Sequence, residues 1–252
     1  MRRIFLLLSS LMFSSYSLAD CQSFIPQLAK TLHPELTLAP SNLNICKIWP
    51  YAPDKTIVVM TLISDIPEQY SDQPTYDVDV LVVDSTTGKL IAHRYDQNAI
   101  SDDAIYTDNI SIDTARYQLT ADNRAFGIRT YHRGSSRVNP IADYVLTLYS
   151  LQDGKLNKLT KPLQMDQYSA EWDGNCAGEF SEDKRTISVA KTQTHGFNDL
   201  QINSVTTSRR SELVKEDNCV DKEVSVRKNS MLLKYNGTEY TVPQKALSFY
   251  PF

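Results

Sequence analysis

Beyond its first residues the chain has no apolar run near the ~18 residues that a membrane-crossing helix needs. No two cysteines have C-x-x-C spacing and no histidine neighbours a cysteine, which removes the usual zinc sites. There is no G-x-S-x-G elbow to expose an activated serine and no H-E-x-x-H pair for a metal-dependent hydrolase. His33, His93, His132 and His195 lie apart in turns and strands, as hydrogen-bonding rather than catalytic histidines do. Lys and Arg total 26 against 30 acids, so no basic surface is available for nucleic acid. With that many carboxylates a converging pair for glycoside hydrolysis can always be drawn, so the sequence says nothing for or against one. It implies no cofactor and no metal. Long helical periods are missing after residue 38, and no low-complexity linker or shift in composition divides the chain.

What is present begins with an export signal. Arg2 and Arg3 form a positive start, Ile4–Tyr16 is apolar and serine-rich, and Ser17-Leu18-Ala19 offers small residues to a signal peptidase. Met1–Ala19 is therefore read as a signal peptide and 20–252 as a single β domain, periplasmic or secreted. Asp20 before Cys21 argues against a lipid anchor. Removing the leader takes away two arginines and no acid, so the formal charge of −4 becomes −6. All four cysteines lie after the leader, and an exported chain with an even count suggests disulfides. Cys21–Cys46 and Cys176–Cys219 close the shorter loops. On the chain-entropy model they stabilise by about 3.5 and 4 kcal/mol.

The mature chain reads as strands. Cys21–Leu38 is the one helical piece, with Phe24, Leu28 and Leu32 on one face and Pro34 as its stop. Thr56–Ile63 is almost wholly apolar or β-branched, the pattern of a central strand buried on two sides. Tyr76–Val83 and Lys89–Tyr95 form a hairpin. Ile110–Thr120 pairs with Ala125–His132, and Tyr144–Ser150 with Lys155–Leu159 around Asp153-Gly154. Asp96–Asp108 and His132–Asp143 read as long polar connections. Arg185–Lys191 and Asp199–Ser208, joined at His195-Gly196, lie inside the Cys176–Cys219 loop, with Trp172 as a buried candidate at its mouth. Glu223–Arg227 is a further strand, and Met231–Tyr235 with Glu239–Val242 forms a terminal hairpin on a type I′ Asn236-Gly237 turn. The expected fold is all-β: an antiparallel meander of about fourteen short strands, sandwich or small propeller-like, after a short N-terminal helix.

Two short segments look like calcium sites. Asp173-Gly174-Asn175-Cys176-Ala177-Gly178 matches the start of a calcium loop, but Lys184 stands where a bidentate Glu is needed. Gly196-Phe197-Asn198-Asp199-Leu200-Gln201-Ile202 resembles the core of the FG-GAP repeat of integrin-like propellers over those residues alone. That resemblance implies carboxylates in the preceding loop, and Thr192-Gln193-Thr194-His195 supplies none. Both segments are read as turns, the second with Gly196 at positive φ and with Phe197 and Leu200 packed inward.

One charge anomaly remains. Arg129, Arg133 and Arg137 gather with Tyr131 and His132 in an acidic chain, and Arg with Tyr is the pairing enriched at binding hot spots. These five residues are the candidate binding site. The function expected is an exported, non-enzymatic binding or protein-interaction module, such as an inhibitor or immunity-type protein, for a protein or anionic ligand. The alternative is a periplasmic hydrolase or sugar-acting enzyme whose carboxylates converge only in the fold. A deep pocket with perturbed carboxylates would favour the enzyme, and a shallow face of aromatics and arginines the binder.

Overall fold

The computed structural model describes residues 21–65, 74–214, 218–250 and 252. The expected leader, Met1–Ala19, lies outside them.

The chain forms two antiparallel sheets, one of five strands and one of eight. A 3-10 turn, Cys21–Ser23, leads into helix α1, Phe24–Leu32. The helix is shorter than the expected Cys21–Leu38. His33 already has non-helical φ/ψ (−135°, 61°), because the residue before Pro34 is disfavoured in the α region.

The smaller sheet contains β1 (Thr37–Leu38), β2 (Ile45–Ile48), β3 (Lys55–Asp65), β4 (Thr75–Asp84) and β5 (Leu90–Ser101). β1 and β2 lie end to end along one side of β3. At the break between them the Asn44 side chain replaces a ladder partner. Its Oδ1 accepts the Thr61 N–H at 2.8 Å and its Nδ2 donates to Ala39 O at 2.8 Å. β3 is the central strand expected: Ile57 and Val59 enter one core, Val58, Met60 and Leu62 the other. The second of these cores receives Ile25, Leu28 and Ala29 of α1.

The larger sheet contains β6 (Ile105–Gln118), β7 (Arg124–Gly134), β8 (Ile141–Gln152), β9 (Lys155–Lys158), β10 (Leu163–Trp172), β11 (Gly178–Thr194), β12 (Phe197–Val214) and β13 (Asn218–Leu233). Its order is β13-β12-β11-β10-β8-β7-β6, with β9 beside β8, so consecutive strands pair as in a meander. Ile110, Ile112, Phe126, Ile128 and Tyr149 on one of its faces pack against Ile57, Val59, Val78, Val80 and Val82 of the smaller sheet.

Several elements differ from expectation. Asp96–Asp108 is mostly strand, because its acids are paired: Asp96 takes Lys158 at 3.0 Å, and Asp102 accepts the Thr107 N–H at 2.8 Å. The His132–Asp143 connection shrinks to residues 135–140. β10 was not expected, since its sequence is polar and a bulge between Gln164 and Asp166 interrupts the alternation. β11, β12 and β13 run to 17, 18 and 16 residues, and β13 absorbs the expected Glu223–Arg227 strand and the first residues of the terminal hairpin. That hairpin is reduced to one bridge, Tyr235↔Tyr240. Gly237 alone has positive φ there, and Asn236 Oδ1 accepts the N–H groups of Thr238 and Glu239, an Asx turn in place of type I′. Asp153-Gly154 and His195-Gly196 do have positive φ at both residues, as two-residue hairpin turns require.

Both expected disulfides are closed, with Cα separations of 6.0 Å for Cys21–Cys46 and 5.6 Å for Cys176–Cys219. They indicate an oxidising, exported environment. No helix among the described residues is long and apolar enough to cross a membrane. Cys21–Cys46 ties the helix start to β2. Cys176–Cys219 staples the start of β11 to the start of β13 across β12, where Gly178, Ser211 and Asp221 stand in one row.

A Cys176→Ser, Cys219→Ser variant is expected to lose about 4 kcal/mol of stability. Amide exchange should quicken at residues 178–186, 205–214 and 218–228 while β3 and β4 keep their protection. Uniform loss of protection would show that this bond does not act locally.

Candidate functional site

β7 supplies the residues singled out by sequence, and strand alternation separates them. Arg129, Tyr131 and Arg133 point away from the smaller sheet, whereas Thr130 and His132 point inward and are buried. Arg137 lies in the connection between β7 and β8, where its carbonyl accepts the Trp172 Nε1–H at 2.6 Å.

The outward arginines are already engaged. Arg129 Nε donates to Asp113 Oδ2 at 2.8 Å, and the Tyr117 hydroxyl donates to the same oxygen at 2.8 Å. Burial works to raise the Asp113 carboxyl. The Ala115 N–H, Tyr117 and Arg129 outweigh it and hold the group below its ordinary value. Arg133 pairs with Asp108 at 3.1 Å and lies over the Tyr106 ring. Arg137 forms no ion pair among the described residues.

The outward face is aromatic instead. Tyr131 stands opposite Tyr144, their rings stacked at 4.5 Å and 24°. Burial and then the neighbouring Tyr144 raise the Tyr131 hydroxyl. Direct pairing carries this face across the sheet. Arg133, Ala142, Tyr168 and Glu182 form one row, Tyr144, Asp166, Lys184 and Val205 the next, and Ala170, Phe180 and Arg209 a third. Arg209 lies over the Phe180 ring at 5.9 Å. Trp172, expected to be buried, is half-exposed on this face. The buried tryptophan is Trp49, in the core between the sheets. Gly178 stands opposite Trp172, and only a residue without Cβ fits against the Trp172 Cβ and the Glu171 carbonyl there. Tyr144 is 43 % exposed, and Val138, Val205 and Val226 expose 39–46 % at the margins.

The opposite side of β7 and β8 holds a second cluster beneath the C-terminal tail. His132 stands opposite Asp143 in the ladder. The Thr130 hydroxyl donates to Phe252 O at 3.0 Å, so at 3.0 Å it accepts from His132 Nε2. His132 Nδ1 is then left to accept the Thr107 hydroxyl at 3.2 Å. This is a neutral imidazole with both nitrogens satisfied, stacked on Tyr250 at 4.9 Å. Burial brings it down to about 4. Asp143 accepts the Ser248 hydroxyl at 3.2 Å, and its Oδ1 has no partner among the described residues. Burial pushes this carboxyl up to about 6.

A third cluster joins α1 to the smaller sheet. Buried Asp79 bonds His33 Nε2 at 2.8 Å and His93 Nδ1 at 2.9 Å. Asp77 beside it accepts the Tyr95 hydroxyl and the Asn98 N–H. Burial and then Asp77 push Tyr95 up to about 12. The cluster fastens the helix end to β4 and β5. Among the described residues no group of three or more His, Cys, Asp or Glu is arranged to hold a metal ion. In the two calcium-like segments, Asp173 Oδ1 accepts the N–H groups of Asn175 and Cys176. Phe197 stacks on Tyr235, and Leu200 is fully buried.

No family model matches the chain, and no curated protein or solved structure matches it.

Sequence reasoning found Tyr131 but missed Tyr144, Tyr168, Trp172 and Phe180, which join it only through strand pairing. Alternation within Tyr144–Ser150 was the one available signal.

His132 and Asp143 should oppose each other in pH dependence. The depressed His132 value makes its contribution complete above about pH 6.5, and it is lost as pH falls through about 4. The raised Asp143 value makes its contribution complete below about pH 4, and it is lost as pH rises through about 6. Each is worth on the order of 3 kcal/mol. Relative to the parent, Asp143→Asn should therefore gain stability as pH rises from 4 to 7, and His132→Gln as pH falls from 7 to 4. Urea midpoints across that range test both signs, and pH-independent differences would refute the assignment.

Proposed function

We propose that this protein is an exported, non-catalytic binding module, periplasmic or secreted, with residues 20–252 as one β-sandwich domain. Its ligand is another protein, docked on the outward face of the larger sheet. Inhibition of a toxin or hydrolase is the kind of activity such a face would serve. The reading rests on the stacked Tyr131–Tyr144 pair, whose outer ring is exposed in the middle of a shallow aromatic surface with valines at its margins. Large rigid aromatics with arginine at their edges form the energetic centre of protein interfaces. Two rotatable torsions per tyrosine keep the ordering cost low. The anionic-ligand alternative has less support, because Arg129 and Arg133 already face Asp113 and Asp108.

Among the described residues the enzymatic alternative has less support. His132 and Asp143 are buried under Ser248 and Tyr250. Glu171 and Glu179 stand opposite each other, but both side chains are exposed and Glu179 is bound by Arg210. Neither lies in the desolvated setting that tunes a catalytic acid.

A Tyr144→Ser variant should keep its melting temperature and lose its envelope partner in a pull-down by roughly tenfold or more, the effect of removing a hot-spot ring. Arg133→Glu should have a smaller effect. Undiminished recovery with Tyr144→Ser would refute the assignment of this face, and a larger loss with Arg133→Glu would restore the anionic reading.

A further inference from the structure

We propose that the other face of the larger sheet carries a separate binding site for a neutral oligosaccharide. A groove of about 490 Å³ opens there, within the size range of small-ligand sites. Its floor is set by register. Ile141, Ser169, Ser181 and Ser208 stand directly opposite one another on β8, β10, β11 and β12, so their side chains share this face. The next row is Glu171, Glu179 and Arg210. Adjacent strands are ~4.8 Å apart, so the serine hydroxyls present a line on the order of 10 Å long.

Those hydroxyls are half-buried and hydrogen-bond to no side chain or backbone group among the described residues. Serine is not among the residues that strands favour. Three in one row on three strands forgo packing and β-propensity without gaining any internal hydrogen bond. They are instead free donors and acceptors facing a groove. Each can give one proton and accept others, which matches the dual character of a sugar hydroxyl. Ile141 at one end and Val224, 62 % exposed, at the other supply apolar contacts for the C–H faces of sugar rings.

Charge and backbone narrow the ligand class. Glu179 is paired with Arg210, and Arg209 is turned to the opposite face over Phe180. Glu171 has no ion pair among the described residues, so an anion would meet an uncompensated carboxylate. That carboxylate suits neighbouring hydroxyls as a two-oxygen acceptor. A peptide has nothing to pair with on the floor, because β10, β11 and β12 each have strands on both sides. The site does not depend on the protein-binding face, and the two can be occupied together.

The test is calorimetric titration of the mature protein with maltotriose, cellotriose and tri-N-acetylchitotriose, with trigalacturonate and a neutral tripeptide as comparators. At least one neutral trisaccharide should bind. The Ser181→Val, Ser208→Val variant should bind it about tenfold more weakly, the worth of lost neutral hydrogen bonds, with melting unchanged because valine suits a strand. Glu171→Ala, on an exposed side chain, should also weaken it and guards against a folding defect in the double variant. Tyr144→Ser should bind the sugar as the parent does, so failure of the protein-docking reading leaves this test legible. The proposal is overturned if none of the neutral trisaccharides binds, if binding survives the serine and Glu171 variants, or if trigalacturonate or the tripeptide binds better.

Discussion

One extra residue in β10 decides which of its side chains carry the Tyr144 face on across the larger sheet. Leu163 stands opposite Leu146, while Asp166, not Met165, stands opposite Tyr144 two places along. Leu146 and Tyr144 share a face of β8, so their partners Leu163 and Asp166, although three apart, share a face of β10. The bulge therefore shifts the alternation of β10 by one residue while the face itself runs on across the sheet. On one side of it Leu163 and Met165 join Leu146, Leu148, Leu200, Ile202 and Leu233 in a core that Tyr240 closes. On the other side Tyr144 leads into Asp166, Lys184 and Val205, which nothing requires to be dry. Without the bulge, plain alternation from Leu163 would put Gln167 and Ser169 on the Tyr144 face and Tyr168, Ala170 and Trp172 on the other.

How far the sequence was legible follows from the same feature. Strong local signals carried through: the two-faced apolar run of β3, the Asp153-Gly154 and His195-Gly196 turns, and cysteines whose shorter loops close. Each depends on neighbours in the chain. β10 was unreadable because a bulge breaks the period of two on which strand recognition rests. The acids of Asp96–Asp108 looked like loop because their partners, Lys158 and the Thr107 N–H, are supplied by the fold. Of the candidate site, strand alternation places Arg129 and Tyr131 on one face of β7 and His132 on the other. The acids that neutralise Arg129 and Arg133 lie on β6, reached only by pairing. A cluster of arginines in sequence was not a cluster of free charge in space.

The buried polar groups show how the chain's end is held. His132 can accept from Thr107 only because Thr130 gives its proton to the carbonyl of Phe252, which fixes the tautomer. Ser248 reaches Asp143, and Tyr250 covers the imidazole. A tail with little regular structure is thereby tied to β7 and β8 by donors and acceptors that would otherwise be buried without partners, a costly arrangement. His132 and Asp143 are thereby engaged in holding the tail on the sheet.

Beyond that tail, β11, β12 and β13 extend with little covering either face, and among the described residues no strand pairs with the outer edge of β13. Such an edge invites association with other chains. Asp221, Lys222, Glu223, Arg227 and Lys228 along β13 oppose this, since any strand pairing there would have to desolvate or match them. The Cys176–Cys219 bond meets the remaining difficulty, which is that strands without a core of their own fray. It fixes the first residues of β11 and β13 where Gly178, Ser211 and Asp221 align. Both proposed surfaces, the aromatic one through Trp172 and Phe180 and the serine groove through Ser181 and Ser208, lie on the strands it secures.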